Sequence, residues 1–261
     1  MDFLLFTLYA PLSRWGEIAV GETRGAWDRP SRSAVLGLVA AALGLTRDEQ
    51  DAHDALDRGY GVAVRLDAPG TVLVDYHTAQ TVAAAAAKKQ RVSTRAELLA
   101  AGDRETILSR RTYRQDALAT VALWARSDPR WPLAELAAAL QRPIFVLYAG
   151  RKANALGSPL APAVVQSGTL AAAFAQRRPE PPVLDLHLLR PEGGWGREVA
   201  HDRCDGFVDG LHPLRRETRR DVGAHRGRWQ FRERTVEVGA LEVPSTTMTS
   251  VSAPTPAEEN S

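Results

Sequence analysis

The first 45 residues place an apolar strand directly before a charged loop and an apolar helix. Residues 3–9 form an uncharged run with the length and composition of a buried strand. Residues 34–43 are apolar on every side, so they predict a buried helix that begins after capping serines and stops at Gly44. The loop between them contains Arg14, Trp15 and three further arginines. A basic loop beside a helix N-terminus favours binding of a phosphate and stacking of a base.

The remaining pattern predicts an α+β fold built on a ferredoxin-like (RRM-like) domain over residues 1–158. Periodicity indicates strands at residues 62–66, 71–76, 116–125 and 144–148, with a second main helix from Pro132 to about Leu140. The order strand–helix–strand–strand–helix–strand is typical of the ferredoxin-like arrangement. We expect residues 159–243 to form a small β-rich C-terminal lobe, and the Ser/Thr/Pro-rich tail, residues 244–261, to be disordered.

A basic insertion, residues 78–111, separates the second and third predicted strands of the domain. It contains seven Lys or Arg residues against three Asp or Glu, and residues 211–234 contain eight against three, although the net charge of the chain is only +2. Two basic segments on a near-neutral body favour a groove that follows a nucleic-acid backbone. An insertion of this length is usually functional or mobile. For residues 211–234 an ordinary solvent-exposed face is the equally plausible alternative.

Cysteine and histidine usage argues against metal and redox chemistry. The single cysteine, Cys204, excludes an internal disulfide and a cysteine-cluster metal site, and the six histidines show no paired ligand spacing. We therefore expect no cofactor and no metal. The N-terminus lacks the basic segment of a secretory signal, and the longest apolar run, residues 34–45, is too short to span a bilayer. These features predict a cytoplasmic protein that does not enter a membrane.

The candidate binding residues lie in the N-terminal loop, in the insertion and after the 144–148 segment. Arg32 and Ser33 stand at a predicted helix N-terminus, which suits a phosphate, although ordinary capping explains Ser33 as well. Gly150, Arg151 and Lys152 favour anion binding, because glycine permits close backbone approach and the cations are adjacent. The RNA-binding candidates are Arg14, Trp15, Arg24, Arg32, Ser33, His77, Lys88, Lys89, Arg110, Arg111, Arg151 and Lys152. Trp15 has two open interpretations, a stacking platform for a base and a plug at the edge of the core.

A nuclease is the alternative in a different functional class. His77 or Tyr76 could act as general base or acid on a ribose 2′-OH, with Lys88 or Lys89 stabilising the phosphate in the transition state. This would be a metal-independent endoribonuclease. One His, one Tyr and a few Lys residues occur together by chance in many basic proteins, so we expect binding without catalysis.

The chain resembles the type I-E branch of CRISPR-associated protein family five. The resemblance rests on Ala-Pro-Leu-Ser-Arg-Trp-Gly at residues 10–16, Arg-Pro-Ser-Arg-Ser-Ala-Val-Leu-Gly-Leu at 29–38, Asp-Tyr-His-Thr at 75–78, Asp-Ala-Leu-Ala-Thr-Val-Ala-Leu-Trp at 116–124 and Tyr-Ala-Gly-Arg-Lys at 148–152. Weaker similarity at residues 220–222 and 231–234 extends it over most of residues 3–238. These strings are individually weak, but their order and spacing make the match specific.

The resemblance implies a non-catalytic subunit of the Cascade antiviral surveillance complex that caps the 5′ handle of CRISPR RNA. It also implies that the insertion is a protruding thumb around which the RNA bends. The expected partners are the CRISPR RNA, the backbone subunit CasC and the large subunit CasA, with target DNA reached indirectly through the complex. In such systems a separate subunit cuts the RNA, which favours binding over catalysis here. A third possibility is an assembly subunit whose RNA contacts are incidental.

Overall fold

The computed structural model describes residues 1–17, 19, 21–83, 93–100, 104–177, 196–225, 227–228 and 230–242. The strands are β1 (Asp2–Ser13), β2 (Trp15–Gly16), β3 (Thr23–Arg24), β4 (Ala26–Trp27), β5 (Tyr60–Ala68), β6 (Thr71–Val82), β7 (Arg104–Ala125), β8 (Ala163–Gln166), β9 (Glu198–His201), β10 (His212–His225) and β11 (Gln230–Ala240). The helices are α1 (Arg32–Ala42), α2 (Gln50–Gly59), α3 (Arg95–Ala100), α4 (Leu133–Gln141) and α5 (Leu170–Ala175). The protein is therefore a mixed α/β protein with a large sheet and few helices.

The main sheet has the strand order β10-β11-β9-β5-β7-β1-β8, and all of these neighbours are antiparallel. Strand β6 pairs antiparallel with the first half of β7. The short strand β3 pairs in parallel with Arg110 and Arg111 of that same half. Strand β7 thus connects the core of the sheet to a long two-stranded ribbon. Its second half is buried and its first half is largely exposed to solvent.

Helices cover both faces of β1, which explains why residues 3–10 are continuously buried. Leu4 and Phe6 belong to the core cluster that contains α1 and α4. Phe3 and Leu5 point to the opposite face, where they pack with Phe174 of α5. Strands buried on both faces read as continuous apolar runs rather than as alternating ones. The predicted first strand and first helix are confirmed.

The segment predicted as an insertion begins and ends as regular β-structure. The register of β6 against β7 runs without a break from the pair Thr71–Gln115 to the pair Val82–Arg104. Both flanks of residues 78–111 are therefore strands, and residues 95–100 form the short helix α3. Val82 ends β6, and the predicted RNA contacts Lys88 and Lys89 lie outside the described residues.

The strand predicted at residues 144–148 is wrong. The backbone N–H groups of Ile144 and Phe145 donate to the carbonyls of Ala42 and Ala41 at 3.0 and 3.1 Å, where α1 ends. These hydrogen bonds satisfy the C-terminal carbonyls of α1 and take the segment away from the sheet. The edge position beside β1 is taken instead by β8, four residues of which pair with β1.

The described strands β8 to β11 belong to the same sheet as the N-terminal strands. Strand β8 pairs with β1, and β9 pairs with β5, so the boundary predicted at residue 158/159 does not separate two sheets. A buried network joins the two parts, in which Arg65 donates to Asp67 at 2.5 Å, to Thr120 at 3.1 Å and to the carbonyl of Phe174 at 2.8 Å. The tail, residues 244–261, lies outside the described residues. Among the described helices, none is long and apolar enough to cross a membrane.

Candidate nucleic-acid interface

The base of the β6–β7 ribbon carries a cluster of arginines that come from distant parts of the chain. Strand β3 pairs with β7 so that Thr23 lies opposite Arg110 and Arg24 lies opposite Arg111. The backbone N–H of Arg110 also donates to the carbonyl of Glu22 at 3.0 Å. The N-terminal loop predicted to be basic is therefore fastened to the basic end of the predicted insertion. This pairing brings Arg24, Arg110 and Arg111 to one site.

A glycine contact adds Arg14 and Arg151 to the same site. Gly150 has a φ of +82°, and a Cβ atom built on it would lie 1.8 Å from the carbonyl oxygen of Arg14. A side chain at this position is excluded by both the space and the backbone conformation. The backbone N–H of Arg14 donates to the carbonyl of Ala149 at 3.1 Å. The close backbone approach at Gly150 is therefore made by Arg14 of the protein itself.

Tyr113 holds the side chain of Arg151 in place. Nη1 of Arg151 donates to the Tyr113 hydroxyl at 2.7 Å, and its guanidinium lies 5.4 Å from the centroid of the Tyr113 ring. Tyr113 lies two residues beyond Arg111, so both side chains project from the same face of β7. The sequence prediction missed Tyr113. Extending the strand periodicity of β7 upstream to Arg111 would have placed it beside the arginines.

The cluster formed by Arg14, Arg24, Arg111, Arg151 and Tyr113 has an unbalanced positive charge. Burial lowers the pKa of Arg14, and the neighbouring charges of Arg151, Arg111 and Arg24 lower it further, while Tyr113 opposes them. Nε of Arg14 is buried and has no hydrogen-bond partner in the structure. Like charges held together in this way are stabilised when a polyanion neutralises them. We call this set the arginine cluster.

An apolar groove of about 320 Å³ adjoins the arginine cluster. It runs between α1 and the 144–150 segment, and its lining includes Ser33, Gly37, Val146, Tyr148 and Gly150. Gly150 therefore borders both the groove and Arg14. Cations beside an apolar slot are suited to a nucleotide, which presents a phosphate and a base to different surroundings.

Two of the predicted site residues, Trp15 and Arg32, are buried in the protein. Trp15 is 4% exposed, belongs to the core cluster with α1, and pairs through its backbone with Trp27. The burial of Trp15 favours the core-plug interpretation, and Trp15 also lines the groove beside Gly150. Ser33 is half-buried beside Ser31, whose hydroxyl caps α1 by accepting from Ala34 N–H at 3.3 Å.

Arg32 is a structural residue rather than a phosphate ligand. Its side chain is 3% exposed, pairs with Asp202, and donates to Asp57 at 3.1 Å and to the Tyr60 carbonyl at 2.9 Å. Its backbone N–H donates to a carboxylate oxygen of Asp221 at 2.8 Å. An internal carboxylate thus occupies the position at the N-terminus of α1 where a phosphate was predicted.

The remaining described candidates outside the cluster are His77, Arg110 and Lys152. His77 is half-buried on β6, with its Nδ1 3.8 Å from a carboxylate oxygen of Asp75. Tyr76 is 60% exposed, and as the preceding residue of the same strand it projects from the opposite face of the ribbon. Lys152 is exposed next to Arg151. The arrangement therefore does not bring Tyr76 and His77 together as an acid and base pair.

The second basic segment, residues 211–234, carries arginines that are engaged inside the protein. Arg215 pairs with Glu198 and Glu217 at 2.8 Å, and Arg219 pairs with Glu217 while its guanidinium lies 4.4 Å from the centroid of the Trp27 ring. Arg234 pairs with Asp202 and Asp221 at 2.6 and 2.7 Å. These three arginines therefore have acidic partners within the described part of the protein, and Arg219 also packs against Trp27 of the N-terminal loop.

Comparison with known proteins assigns the family. A model of the family described as CRISPR-associated protein (Cas_Cas5) matches residues 3–237. The chain belongs to the Cas5 family. The match includes every described residue of the arginine cluster, so this cluster lies within the family domain.

Individual relatives agree with this assignment. The CRISPR system Cascade subunit CasD of Escherichia coli (strain K12) is 32% identical over 167 residues, which are 61% of this chain and 69% of the relative. A chain in a solved structure described as a CRISPR RNA-guided surveillance complex is 26% identical, with a TM-score of 0.60 over 94% of this chain and 92% of that chain. A crystal structure of a Cas protein shares the fold at 24% identity, with a TM-score of 0.53 over 92% and 94% of the two chains.

Proposed function

We propose that this Cas5-family protein is a non-catalytic RNA-binding subunit of a type I-E Cascade, in which it holds the 5′ handle of CRISPR RNA. The observation that carries the proposal is the arginine cluster, which gathers cations from three segments of the chain around Tyr113. Handle phosphates would contact Arg14, Arg24, Arg110, Arg111 and Arg151. The adjoining groove would accept a base.

The proposed scaffold for this site is a ferredoxin-like core. The strand order β5-β7-β1-β8, with α1 following β1 and α4 following β7, supports this arrangement. The β6–β7 ribbon would be the thumb. The arginine cluster at its base would set the direction in which the RNA runs away from the protein. Lys88, Lys89, His77 and Lys152 remain predicted contacts along the path of the RNA.

The expected partners follow from the relatives rather than from a contact in this chain. The E. coli relative is described as a Cascade subunit, and the structural relative as part of an RNA-guided surveillance complex. We propose that the protein assembles with CasC and CasA in the cytoplasm and reaches target DNA only through the complex. An exposed apolar row on β6, formed by Val72, Val74 and Tyr76, is available for such an assembly contact.

The test of this proposal is the RNA that co-purifies with the protein when it is expressed with its operon partners. Sequencing should give RNA with one fixed 5′ end, because a handle-binding subunit protects that end. A matched preparation that carries Arg111→Ala and Arg151→Ala should lose this RNA or yield heterogeneous 5′ ends. Wild-type complexes that carry no RNA, or RNA with ragged 5′ ends, would contradict the proposal.

The absence of catalysis is a separate part of the proposal and has its own assay. Labelled repeat RNA is incubated with the isolated protein in EDTA at neutral pH and analysed on denaturing and native gels. We expect intact RNA that is shifted on the native gel, because Tyr76 and His77 point away from each other. Site-specific cleavage to a 2′,3′-cyclic phosphate that His77→Ala abolishes would establish the endoribonuclease instead.

A further inference from the structure

Strand β6 has one edge that no described strand pairs with. Its other edge pairs with β7. Arg110 of β7 lies opposite Tyr76, and its backbone N–H donates away from β6, to the carbonyl of Glu22 beside β3. Tyr76 therefore belongs to a non-hydrogen-bonded pair, so its own N–H and C=O point toward the free edge. The backbone groups of every second residue point the same way, namely those of Val72, Val74, Thr78 and Gln80.

The free edge of β6 lacks the features that usually protect an edge strand from another chain. Charged side chains, proline and β-bulges are the common protections. The edge strand β10 has four arginines, Pro213 and three interruptions of its register against β11. The register of β6 against β7 is unbroken, and the sequence of β6 contains no proline, lysine or arginine. Its residues Val72, Val74 and Tyr76 are 50%, 57% and 60% exposed.

We propose that the isolated protein forms a homodimer in which β6 pairs antiparallel with β6 of a second copy. The twofold axis passes beside Tyr76, so that Tyr76 lies opposite its own copy. Val74 then lies opposite Thr78 of the second copy, and Val72 lies opposite Gln80. All of these residues direct their N–H and C=O groups at the free edge, so the two strands exchange hydrogen bonds along their length.

Charge complementarity selects this register. Asp75 faces His77 of the second copy, and the twofold axis repeats this pair. Both belong to non-hydrogen-bonded pairs of the new ladder, in which opposite Cα atoms are about 4.5 Å apart and side chains are closest. The two side chains are 43% and 42% exposed, so they are accessible to a partner. An axis at Asp75 would instead place two carboxylates opposite each other, and an axis at His77 would separate Asp75 from His77.

The pairing also covers the exposed apolar row. Tyr76 meets its copy as an aromatic pair, and Val74 meets the β-branched Thr78. Cross-strand pairs of these kinds stabilise antiparallel sheets. The assembly contact proposed above uses the same row, so a partner subunit that binds it would displace the second copy. The dimer is therefore the form of the free subunit.

The test is sedimentation equilibrium of the full-length protein, without RNA or partner subunits, over a series of concentrations. The wild-type protein should approach twice the mass of one chain. Val74→Lys should raise the dissociation constant of the dimer at least about 10-fold, because it places a cation on each free edge. Val208→Lys, the same change at a 72% exposed valine outside the strands, should alter this constant by less than about 3-fold.

A cysteine at the twofold axis tests the register. In a Cys204→Ser background, Tyr76→Cys places two thiols on residues whose Cα atoms are about 5.5 Å apart, which is within disulfide range. Oxidation should therefore link the two chains. Val72→Cys is the matched control and should not link them. The offset between residues 72 and 80 separates Val72 from its copy by roughly 27 Å, at about 3.4 Å per residue.

A wild-type protein that stays monomeric up to about 100 μM would overturn the proposal. Equal weakening by Val74→Lys and Val208→Lys would also overturn it, as would a Val72→Cys protein that cross-links as efficiently as Tyr76→Cys. The wild-type measurement does not depend on the folding of any variant. All of these measurements use the protein alone, so their failure would leave the proposed RNA-binding function unaffected.

Discussion

At the scale of single residues, the described arginines divide into those that bind inside the protein and those that present charge outward. Arg32 and Arg234 are surrounded by carboxylates, whereas Arg14 is surrounded by other arginines. The sequence predicted Arg14, Arg24, Arg111 and Arg151 as candidate RNA contacts, and the structure brings them together. It could not distinguish them from Arg32, because the acidic partner Asp202 lies 170 residues further along the chain.

We expect removal of Arg111 and Arg151 to weaken RNA binding without unfolding the protein. The double variant Arg111→Ala, Arg151→Ala should lose ~1–3 kcal/mol of binding free energy, since two charge-assisted contacts disappear. The slope of log affinity against log salt should fall by roughly 1.4 if each arginine contacts one phosphate of a single strand. Fluorescence anisotropy against a handle-containing RNA measures both quantities.

The matched control for this pair is Arg58→Ala, which removes an exposed cation from α2. Its affinity and salt slope should stay close to wild type. If Arg58→Ala weakens RNA binding as much per charge removed as the double variant does, RNA affinity depends only on the net charge of the protein. The arginine cluster would then have no special role.

Arg32 should affect stability. Arg32→Leu should lower the free energy of unfolding by about 3–5 kcal/mol, because it leaves the buried carboxylate of Asp202 without one of its cations. Denaturant unfolding measures this quantity, and Arg58→Leu, exposed on the neighbouring helix, should change it by less than about 0.5 kcal/mol. A stable Arg32→Leu protein with lost RNA binding would restore the predicted phosphate role of Arg32.

At the scale of elements, apolar patterning predicted β1, α1, β5, α4 and the second half of β7 because each buries a regular face. It failed at residues 144–148, where the apolar side chains suggested a strand but the backbone hydrogen bonds go to the end of α1. It also missed the length of the β6–β7 ribbon. The missed part, residues 77–82 and 104–115, is mostly polar and depends on cross-strand pairing, which leaves little hydrophobic periodicity.

Shortening the ribbon should leave the core folded. Deleting residues 79–107 and joining Thr78 to Leu108, which are paired in register, by an Asn-Gly turn preserves the remaining ladder. The melting temperature should change by less than about 5 °C, since most of the described side chains that are removed are exposed. RNA retention should decrease with the loss of the predicted contacts at Lys88 and Lys89.

Circular dichroism and thermal melting decide the outcome for this deletion, with the arginine cluster variant as a folded reference. An insoluble or non-cooperatively melting protein would mean that the distal ribbon contributes to the core. Full RNA retention would mean that the thumb is dispensable for binding.

At the scale of the whole molecule, ion pairs join the N-terminal loop to the C-terminal strands. Glu198 of β9 pairs with Arg29 from the loop and with Arg215 from β10. The hydrogen bond from Arg215 holds the pKa of Glu198 below its usual value, and Arg29 adds to this effect against the opposing effect of burial. Charge pairs between distant segments leave no local pattern, so these contacts could not be predicted from the sequence.

The depressed pKa of Glu198 makes the stability of the folded protein depend on pH in a defined direction. A carboxylate whose pKa is depressed in the folded state stabilises the protein above its unfolded pKa, and this contribution is lost as the pH falls through the folded value. Glu198→Gln should therefore lower the melting temperature at pH 7 and have a progressively smaller effect below about pH 4. Thermal melts across this pH range measure the effect, with Asp48→Asn as an exposed control. A change in melting temperature caused by Glu198→Gln that is the same at every pH would contradict this explanation.

Ultraviolet cross-linking of the assembled complex, with mass spectrometry of the cross-linked peptides, tests the central claim most directly. The account predicts that nucleotides of the CRISPR RNA 5′ handle attach to peptides that contain Arg14, Arg24, residues 110–114 and residues 148–152. These segments surround the arginine cluster and its groove. Cross-links confined to residues 211–234, or to nucleotides outside the handle, would contradict it.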